Sequence, residues 1–148
     1  KVRAQIIVTD PASAETIKYA SNAFLATKLS FINAIAAVCE GVGADVNDVV
    51  VGMGYDKRIG TEFLRPGPGW GGSCFPKDVS ALVHTASDYG YDAELLKAAV
   101  NVNQRQRAIA IEKLPVSQVP TAMFSLIMLM IASRLITGPS SFSVPKGL

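Results

Sequence analysis

One uninterrupted stretch near the start of the chain limits the possible folds most, because residues 12–40 contain neither glycine nor proline. Asp10 and Pro11 precede it, and this pair is typical of a helix start, with aspartate as the N-cap and proline at the first helical position. Gly41 and Gly43 favour a helix end just beyond it. Apolar side chains recur at helical spacing between these signals: Ile17, Phe24, Leu25, Leu29, Ile32, Ile35, Ala36 and Cys39. The pattern predicts a helix of about thirty residues, and helices of that length typically run through a bundle core or across a dimer interface.

Three further helices are predicted after the long one. Asp45 can cap a short helix that reaches about residue 53, a third helix covers about 76–89, and a fourth covers about 92–114. Residues 54–72 are rich in glycine and proline, but their large apolar side chains favour an ordered, functional loop. No strand alternation and no repeat is evident. We predict an all-α helical bundle built on one long helix, with the Gly/Pro-rich loop as the candidate active-site loop.

The charge and cysteine content exclude several classes of function. Fourteen basic and twelve acidic residues leave a net charge of +2, and only 18% of the 148 residues are charged, so no nucleic-acid partner is expected. Two cysteines and one histidine are too few for a disulfide scaffold or a zinc site, and we expect no metal. Reduced cysteines are typical of a cytoplasmic protein.

The last segment, residues 115–148, differs from the rest. Arg134 and Lys146 are its only charges, and residues 121–136 are almost continuously apolar. A lipid span needs about twenty such residues, so this stretch is marginal for crossing a membrane. We interpret it as an apolar tail that is either the product of a shifted reading frame or disordered, with a membrane segment as the less favoured alternative. The chain also begins without an initiator Met or a signal peptide, which favours a fragment of a longer protein.

Cys74 is the first candidate for chemistry. It follows two glycines and precedes a proline, in the run Gly71-Gly72-Ser73-Cys74-Phe75-Pro76. Because proline is typical of a first helical turn, the thiol would lie at a helix N-terminus, where the dipole and free N–H groups favour the reactive thiolate. The glycines allow the backbone to approach a ligand closely. An inert buried cysteine is the alternative, and it is the preferred interpretation of Cys39.

Further polar residues stand at spacings that suit a reaction centre. Asp78 follows Cys74 by four residues, so both side chains can face one pocket, where a carboxylate can orient water. Lys18 and Asn22 are also four residues apart, and an ammonium with an amide can hold a developing oxyanion. Each pattern has a plainer explanation as well: Asp78 could compensate the helix dipole, and Lys18 and Asn22 could form a solvated polar stripe.

Arg58 and Arg65 flank the glycine-rich loop, and the forked guanidinium of arginine suits binding of a diphosphate. Ordinary solvent exposure explains both arginines as well. Lys28 is interpreted as a surface residue, and His84 as a core or surface histidine and not as a catalytic group.

Taken together, these residues resemble the UDP-glucose/GDP-mannose dehydrogenase family, specifically its central helical domain. The resemblance covers about residues 7–114. Its strongest motif is the segment 63–78, which ends in Gly-Gly-Ser-Cys-Phe-Pro-Lys-Asp, and its second is the segment 15–24, which contains Lys-x3-Asn. Within the family, the sequences of these motifs are most similar to those of the bacterial UDP-glucose 6-dehydrogenases.

The resemblance implies an NAD-dependent oxidoreductase that oxidises UDP-glucose twice, to UDP-glucuronate, with two NAD⁺, through a thiohemiacetal and a thioester on Cys74. It implies that Lys18 and Asn22 lie near the reacting carbon and its oxyanion, and that Asp78 organises water or the lysine. It also implies a loop that wraps the substrate and an arginine, Arg58, that reaches the substrate of the neighbouring subunit. The implied loop residues are Phe63, Leu64, Arg65, Pro66, Gly67 and Gly71.

The same resemblance implies the domain organisation. Residues 1–10 would be the end of a preceding NAD-binding domain or a linker, residues 11–114 the central dimerisation and catalytic domain, and residues 115–148 a tail unlike the family. No Gly-x-Gly-x-x-Gly follows a strand, so NAD would be bound mainly by a domain absent from this chain. The long helix would form a homodimer.

Three alternatives stay open at this point. The chain could be a catalytically silent dimerisation module, since the fragment alone is expected to be inactive. It could belong to a GDP-mannose or UDP-N-acetylhexosamine dehydrogenase, because the sequence does not fix the sugar. It could also be a membrane-anchored helical protein, which is the least favoured interpretation.

Overall fold

Four α-helices make up the part of the chain that the computed structural model describes, residues 5–114. They are α1 (Pro11–Val42), α2 (Val46–Gly54), α3 (Phe75–Asp88) and α4 (Glu94–Glu112). No strand occurs within residues 5–114, and α1 is 32 residues long, so the predicted all-α class and the long helix are confirmed. The prediction of an apolar tail falls on residues 115–148, outside the described residues.

The ends of α1 follow the signals in the sequence. Asp10 is the N-cap, and its carboxylate accepts hydrogen bonds from the Ser13 backbone N–H at 2.9 Å and from the Ser13 hydroxyl at 2.6 Å. These bonds hold the pKa of Asp10 below its usual 3.8. At the other end the helix runs through Gly41, and Gly43 stops it in the left-handed conformation with φ of 74°.

The shorter helices differ from their predicted bounds by one or two residues. Asp45 caps α2 through a bond from the Asn47 backbone N–H, as expected. The third helix, α3, begins at Phe75, so that Cys74 occupies its N-cap position. Gly90, with φ of 74°, lies just beyond α3, and α4 begins only at Glu94.

The loop between α2 and α3 supplies the centre of the core. Trp70 is buried against Ala23 and Ala26 of α1 and Val79 of α3. Partly buried apolar side chains surround this cluster: Leu29, Phe75, Leu82, Leu96 and Val100. The two alanines are small enough to let the indole lie close to α1, and burial of a tryptophan typically contributes about 3–5 kcal/mol relative to alanine. The loop is therefore part of the fold and not an appendage.

Helix α1 packs along α3 and also contacts α2, whereas its opposite side carries exposed apolar residues. Four of them recur every seven residues, and we call this set the heptad stripe: Ile17, Phe24, Phe31 and Val38. Each member is between 48% and 68% exposed. Unpartnered stripes with this period are typical of helix–helix interfaces.

Helix α1 is also the one helix within residues 5–114 that is long and apolar enough to cross a membrane, judged by length and composition only. About a third of its most apolar window is buried against the rest of the protein. Core helices of soluble proteins pass the same test, so this property alone gives weak support to a membrane span.

Candidate active site

The structure brings Lys18, Asn22 and Asp78 together at the contact between α1 and α3. The Asn22 side-chain amide donates a hydrogen bond of 2.6 Å to Asp78 Oδ2. Lys18 Nζ lies 3.5 Å from the same oxygen, and its side chain is 59% exposed while that of Asp78 is 1% exposed. The bond from Asn22 is the main reason why the pKa of Asp78 lies below 3.8, with Lys18 acting in the same direction against the effect of burial. Asp78 is therefore a buried carboxylate that stays charged.

The second oxygen of Asp78 has no hydrogen-bond partner within residues 5–114. Oδ1 is buried and accepts no hydrogen bond from any residue between 5 and 114. A buried carboxylate oxygen without a donor is costly, and such an atom in a folded protein calls for an explanation. Here it leaves one strong acceptor unpaired within residues 5–114, beside the donors of Asn22 and Lys18.

Cys74 lies one helical turn before Asp78. Its carbonyl accepts the Asp78 backbone N–H at 2.9 Å, and its exposed Sγ is 3.7 Å from the Ser73 hydroxyl. No side chain caps the N-terminus of α3, so the free N–H groups of the first turn are available to stabilise negative charge near the thiol. Cys39 is buried on α1, as predicted for a structural cysteine.

Contacts between three aromatic rings join the loop to the start of α3. Phe75 makes edge-to-face contacts with Phe63, at 6.4 Å between ring centroids, and with Trp70, at 6.2 Å. Phe63 is the one non-glycine residue with positive φ, 61°, within residues 5–114. A bulky residue in this conformation is held there at a cost of about 1–3 kcal/mol, which the surrounding contacts offset.

The remaining loop residues named from the sequence have different exposures. Leu64 is buried as a whole residue and therefore supports the loop from within the core. Arg65 and Gly71 are exposed, and Pro66 and Gly67 are partly buried.

Arg58 is set apart from the residues around Asp78. Its exposed guanidinium pairs with Asp56, two residues earlier, at 2.6 Å, which lowers the pKa of Asp56 and raises that of Arg58.

Lys28, interpreted from the sequence as a surface residue, is only partly exposed, and its Nζ donates to the carbonyls of Ile59 at 2.8 Å and Gly60 at 3.3 Å. It thereby fixes the turn that carries Arg58. His84 is exposed and contacts Asp88 at 3.0 Å, away from the other candidates.

Four polar residues that the sequence analysis did not single out hold the loop from α1 and α4. We call them the loop clamp: Ser30, Asn33, Asn103 and Gln106. In the sequence they look like ordinary polar residues of a helix, and they belong to no local motif. Asn33, Asn103 and Gln106 bind the loop backbone and Ser30 accepts from the Trp70 indole, and these contacts are visible only in three dimensions.

Comparison with known proteins agrees with the motifs. The UDP-glucose/GDP-mannose dehydrogenase family, central domain, matches residues 12–105. The UDP-glucose 6-dehydrogenase YwqF of Bacillus subtilis is 59% identical over 108 residues, which are 73% of this chain and 24% of that protein. The UDP-glucose 6-dehydrogenase of Pseudomonas aeruginosa is 50% identical over 110 residues, 74% of this chain and 24% of that protein.

A solved structure shows the same fold. The UDP-glucose dehydrogenase from the hyperthermophilic archaeon Pyrobaculum islandicum superposes with a TM-score of 0.65 at 41% identity, over 67% of this chain and 23% of that one. The chain thus spans about a quarter of the length of the curated relatives it matches.

Proposed function

Given that this chain belongs to the UDP-glucose/GDP-mannose dehydrogenase family, as its motifs predicted, we propose that it forms the central part of an NAD-dependent UDP-glucose 6-dehydrogenase. The complete enzyme would oxidise UDP-glucose to UDP-glucuronate with two NAD⁺, through a thiohemiacetal and a thioester on Cys74. Residues 11–114 would be the central helical domain, and residues 1–10 the end of an NAD-binding domain or a linker. The exposed free thiol favours a reducing, cytoplasmic location.

One observation carries the proposal: Asp78, one turn from Cys74, is contacted by both Asn22 and Lys18 from a different helix. A buried charged carboxylate, an amide, an ammonium and an exposed thiol at a helix N-terminus form a set of groups that suits acyl chemistry. A purely structural contact would need neither an exposed thiol nor an unpartnered carboxylate oxygen.

The first step that this chain would perform is addition of the thiol to an aldehyde. The Cys74 thiolate attacks the carbonyl carbon, a C–S bond forms, and the electron pair of the C=O π bond moves to oxygen. Asn22 has a second amide N–H beyond the one it donates to Asp78, and Lys18 is largely exposed, so both can donate to the new oxyanion.

The last step would be hydrolysis of the thioester. Water adds to the carbonyl carbon, the C–S bond breaks, and the electron pair returns to Cys74 as thiolate while the product leaves as a carboxylate and the two protons of the water pass to solvent. Because Oδ1 is buried, Asp78 would organise this water through the largely exposed ammonium of Lys18, which lies 3.5 Å from Oδ2. Because the pKa of Asp78 is lowered, its carboxylate is a weak base, and its role would be to orient the water or Lys18 and not to remove a proton.

NAD would supply the hydride acceptor for the oxidations when bound. Residues 5–114 do not fit a dinucleotide site, because such a site is built where a parallel strand leads through a glycine turn into a helix, and those residues form helices and loops. We assign NAD binding mainly to a domain outside these residues. The steps proposed for Cys74, Asn22 and Asp78 do not depend on where NAD binds.

The loop before Cys74 would hold the sugar nucleotide. Exposed Arg65 can meet a phosphate, and buried Leu64 would shape the loop from within the core. Phe63, Pro66, Gly67 and Gly71 complete the proposed binding loop. Arg58, held by Asp56 and exposed for 89% of its side chain, would reach the substrate of a neighbouring subunit. UDP-glucose is the proposed sugar because the relatives carry that name, and GDP-mannose or a UDP-N-acetylhexosamine is the alternative.

The proposed partner is a second copy of this chain. The heptad stripe lies on the side of α1 that faces away from α3, and its four members leave large apolar surfaces in water. Two such stripes packed against each other would bury them, with Ala20 and Ala34 between them allowing a close helix–helix approach.

A chimera tests the proposed function. The segment of this chain that matches YwqF would replace its counterpart in that Bacillus subtilis protein, and NADH formation would be measured with UDP-glucose. We expect an active chimera in which Cys74→Ser lowers kcat on the order of a thousandfold or more, since the nucleophile is lost. Cys39→Ala, at the buried cysteine, is the matched control and should retain activity.

The alternatives give other results. A chimera that forms dimers but makes no NADH would favour a silent dimerisation module. A chimera in which Cys74→Ser retains normal turnover would refute the assigned nucleophile. Activity only with GDP-mannose or a UDP-N-acetylhexosamine would correct the sugar and leave the chemistry in place.

A further inference from the structure

We propose that Asn103 of α4 and Asn33 of α1 are positioning residues that fix the backbone of residues 67–70 in its substrate-binding conformation. The inference rests on the proposed function for what the loop binds. It adds two residues that lie outside the proposed catalytic group and assigns a role to α4.

The Asn103 side chain binds both backbone polar groups of Trp70. The Trp70 backbone N–H donates to Asn103 Oδ1 at 2.7 Å, and Asn103 Nδ2 donates to the Trp70 carbonyl at 2.9 Å. The asparagine is only 4% exposed, so these bonds are shielded from water. One side chain therefore satisfies both polar groups of one loop residue, and a shorter or apolar side chain would satisfy neither.

Gly69 shows how closely the loop approaches Asn103. Its φ is 105°, which side chains other than glycine rarely adopt, and an added Cβ would lie 2.7 Å from Asn103 Oδ1 and 2.9 Å from Arg107 Cγ. The glycine thus allows the contact that the asparagine makes, and the two positions depend on each other.

A second attachment lies three residues earlier, at Gly67. Its backbone N–H donates to Asn33 Oδ1 at 2.8 Å, and its carbonyl accepts from Gln106 Nε2 at 2.7 Å. Asn33 is only 2% exposed. Because α1 and α4 each hold one polar group of Gly67, the loop is fixed relative to both helices at once.

The backbone of residues 67–70 is connected to Cys74 through a short chain of aromatic contacts. Trp70 contacts Phe75, the residue after Cys74, and Phe75 contacts Phe63, earlier in the loop. A loop ordered before the substrate arrives avoids the entropy cost of ordering on binding, so it binds the substrate more tightly. Asn33 and Asn103 would act on the reaction through this backbone and not by touching the substrate.

Amide hydrogen exchange on the full chain tests the proposal. Asn103→Leu is compared with Asn101→Leu, the same substitution at an exposed position of the same helix. We expect the Trp70 amide to exchange about tenfold faster or more in Asn103→Leu only, with the amides of Ala23, Ala26 and Ile32 in α1 unchanged. Asn33→Ala should similarly accelerate the Gly67 amide. Unchanged loop exchange, or equal acceleration in α1, would overturn the proposal.

A milder pair covers the case in which Asn103→Leu does not fold. Gln106→Ala removes one bond to Gly67 from a partly buried position, and Gln104→Ala is its exposed control. Faster exchange across residues 67–70 in the first variant only would support the proposal, and identical exchange in the two would contradict it.

Kinetics in the YwqF chimera separate positioning from mere stability. Asn103→Leu should raise the KM for UDP-glucose by about tenfold while kcat at saturation changes by no more than about twofold, because the loop binds and Cys74 reacts. An unchanged KM would overturn the positioning role. If the unsubstituted chimera is inactive, the proposed function fails, whereas the exchange experiment still decides how the loop is held.

Discussion

Asn22 of α1 donates a 2.6 Å hydrogen bond to the buried carboxylate of Asp78, 56 residues further along the chain. This bond joins the motif around Lys18 to the motif around Cys74, which are far apart in sequence. It also holds the carboxylate in its charged form, because the pKa of Asp78 is lowered below 3.8.

Acid should weaken this contact in a defined direction. Since the folded-state pKa of Asp78 lies below its unfolded value, the stability that the charged form contributes is present above about pH 4 and is lost as the pH falls through the lowered pKa. The thermal midpoint of Asp78→Asn should therefore lie below that of the parent chain near neutral pH, and the gap should narrow towards about pH 2. Circular dichroism melts over this range measure both.

Asp48→Asn, at an exposed position on α2, is the control for that experiment. The thermal midpoint of Asp48→Asn should differ little from that of the parent chain, by nearly the same amount at each pH. A gap for Asp78→Asn that is as wide at about pH 2 as at neutral pH would show that the charge of Asp78 adds nothing to the fold.

The two cysteines should differ in reactivity. Cys74 is exposed at the N-terminus of α3, where a reagent can reach the sulfur, whereas Cys39 is buried on α1. Limited treatment of the folded chain with iodoacetamide should therefore alkylate Cys74 on the order of a hundredfold faster than Cys39, and denaturant should abolish the difference. Peptide mass spectrometry measures the two sites in one sample, and equal labelling in the folded state would contradict the geometry.

The helices and the Cys74 motif could be predicted from the sequence because their signals are local. Asp10 with Pro11 sets the start of α1, and a left-handed glycine, Gly43, sets its end. The contact of Lys18 and Asn22 with Asp78 was foreseen only through the family resemblance. Spacing places Lys18 and Asn22 on one helix face, but it says nothing about which other helix they meet.

The loop clamp could not be predicted, for a physical reason. Its side chains bind groups more than thirty residues away, as Asn103 does with the Trp70 backbone and Asn33 with the Gly67 backbone, 33 and 34 residues apart. An asparagine on a helix is usually exposed, and only packing in three dimensions shows that these two are buried. The acceptors of Lys28 could not be predicted for the same reason, since they are the distant carbonyls of Ile59 and Gly60.

A charge in the heptad stripe should separate the proposed dimer. Phe31→Glu places a carboxylate at an exposed position on the side of α1 that faces away from α3, so the monomer fold should persist. Leu95→Glu, at an exposed apolar position on α4, is the matched control. Sedimentation velocity should find a dimer for the parent and the control and a monomer for Phe31→Glu. A parent chain that sediments as a monomer would refute the second copy as partner.

The stability of the loop should depend on one hydroxyl. Ser30, buried on α1, accepts a hydrogen bond from the Trp70 indole N–H at 2.8 Å and donates to the Ala99 carbonyl of α4 at 2.8 Å. Ser30→Ala leaves the buried indole N–H without its acceptor, so the free energy of unfolding should fall by about 1–3 kcal/mol. Ser21→Ala, the same change at an exposed position on the same helix, should alter it by no more than about 0.5 kcal/mol. Trp70 is the only tryptophan in the chain, so its fluorescence during urea unfolding reports on the site directly, and equal losses in the two variants would show that the indole bond contributes nothing.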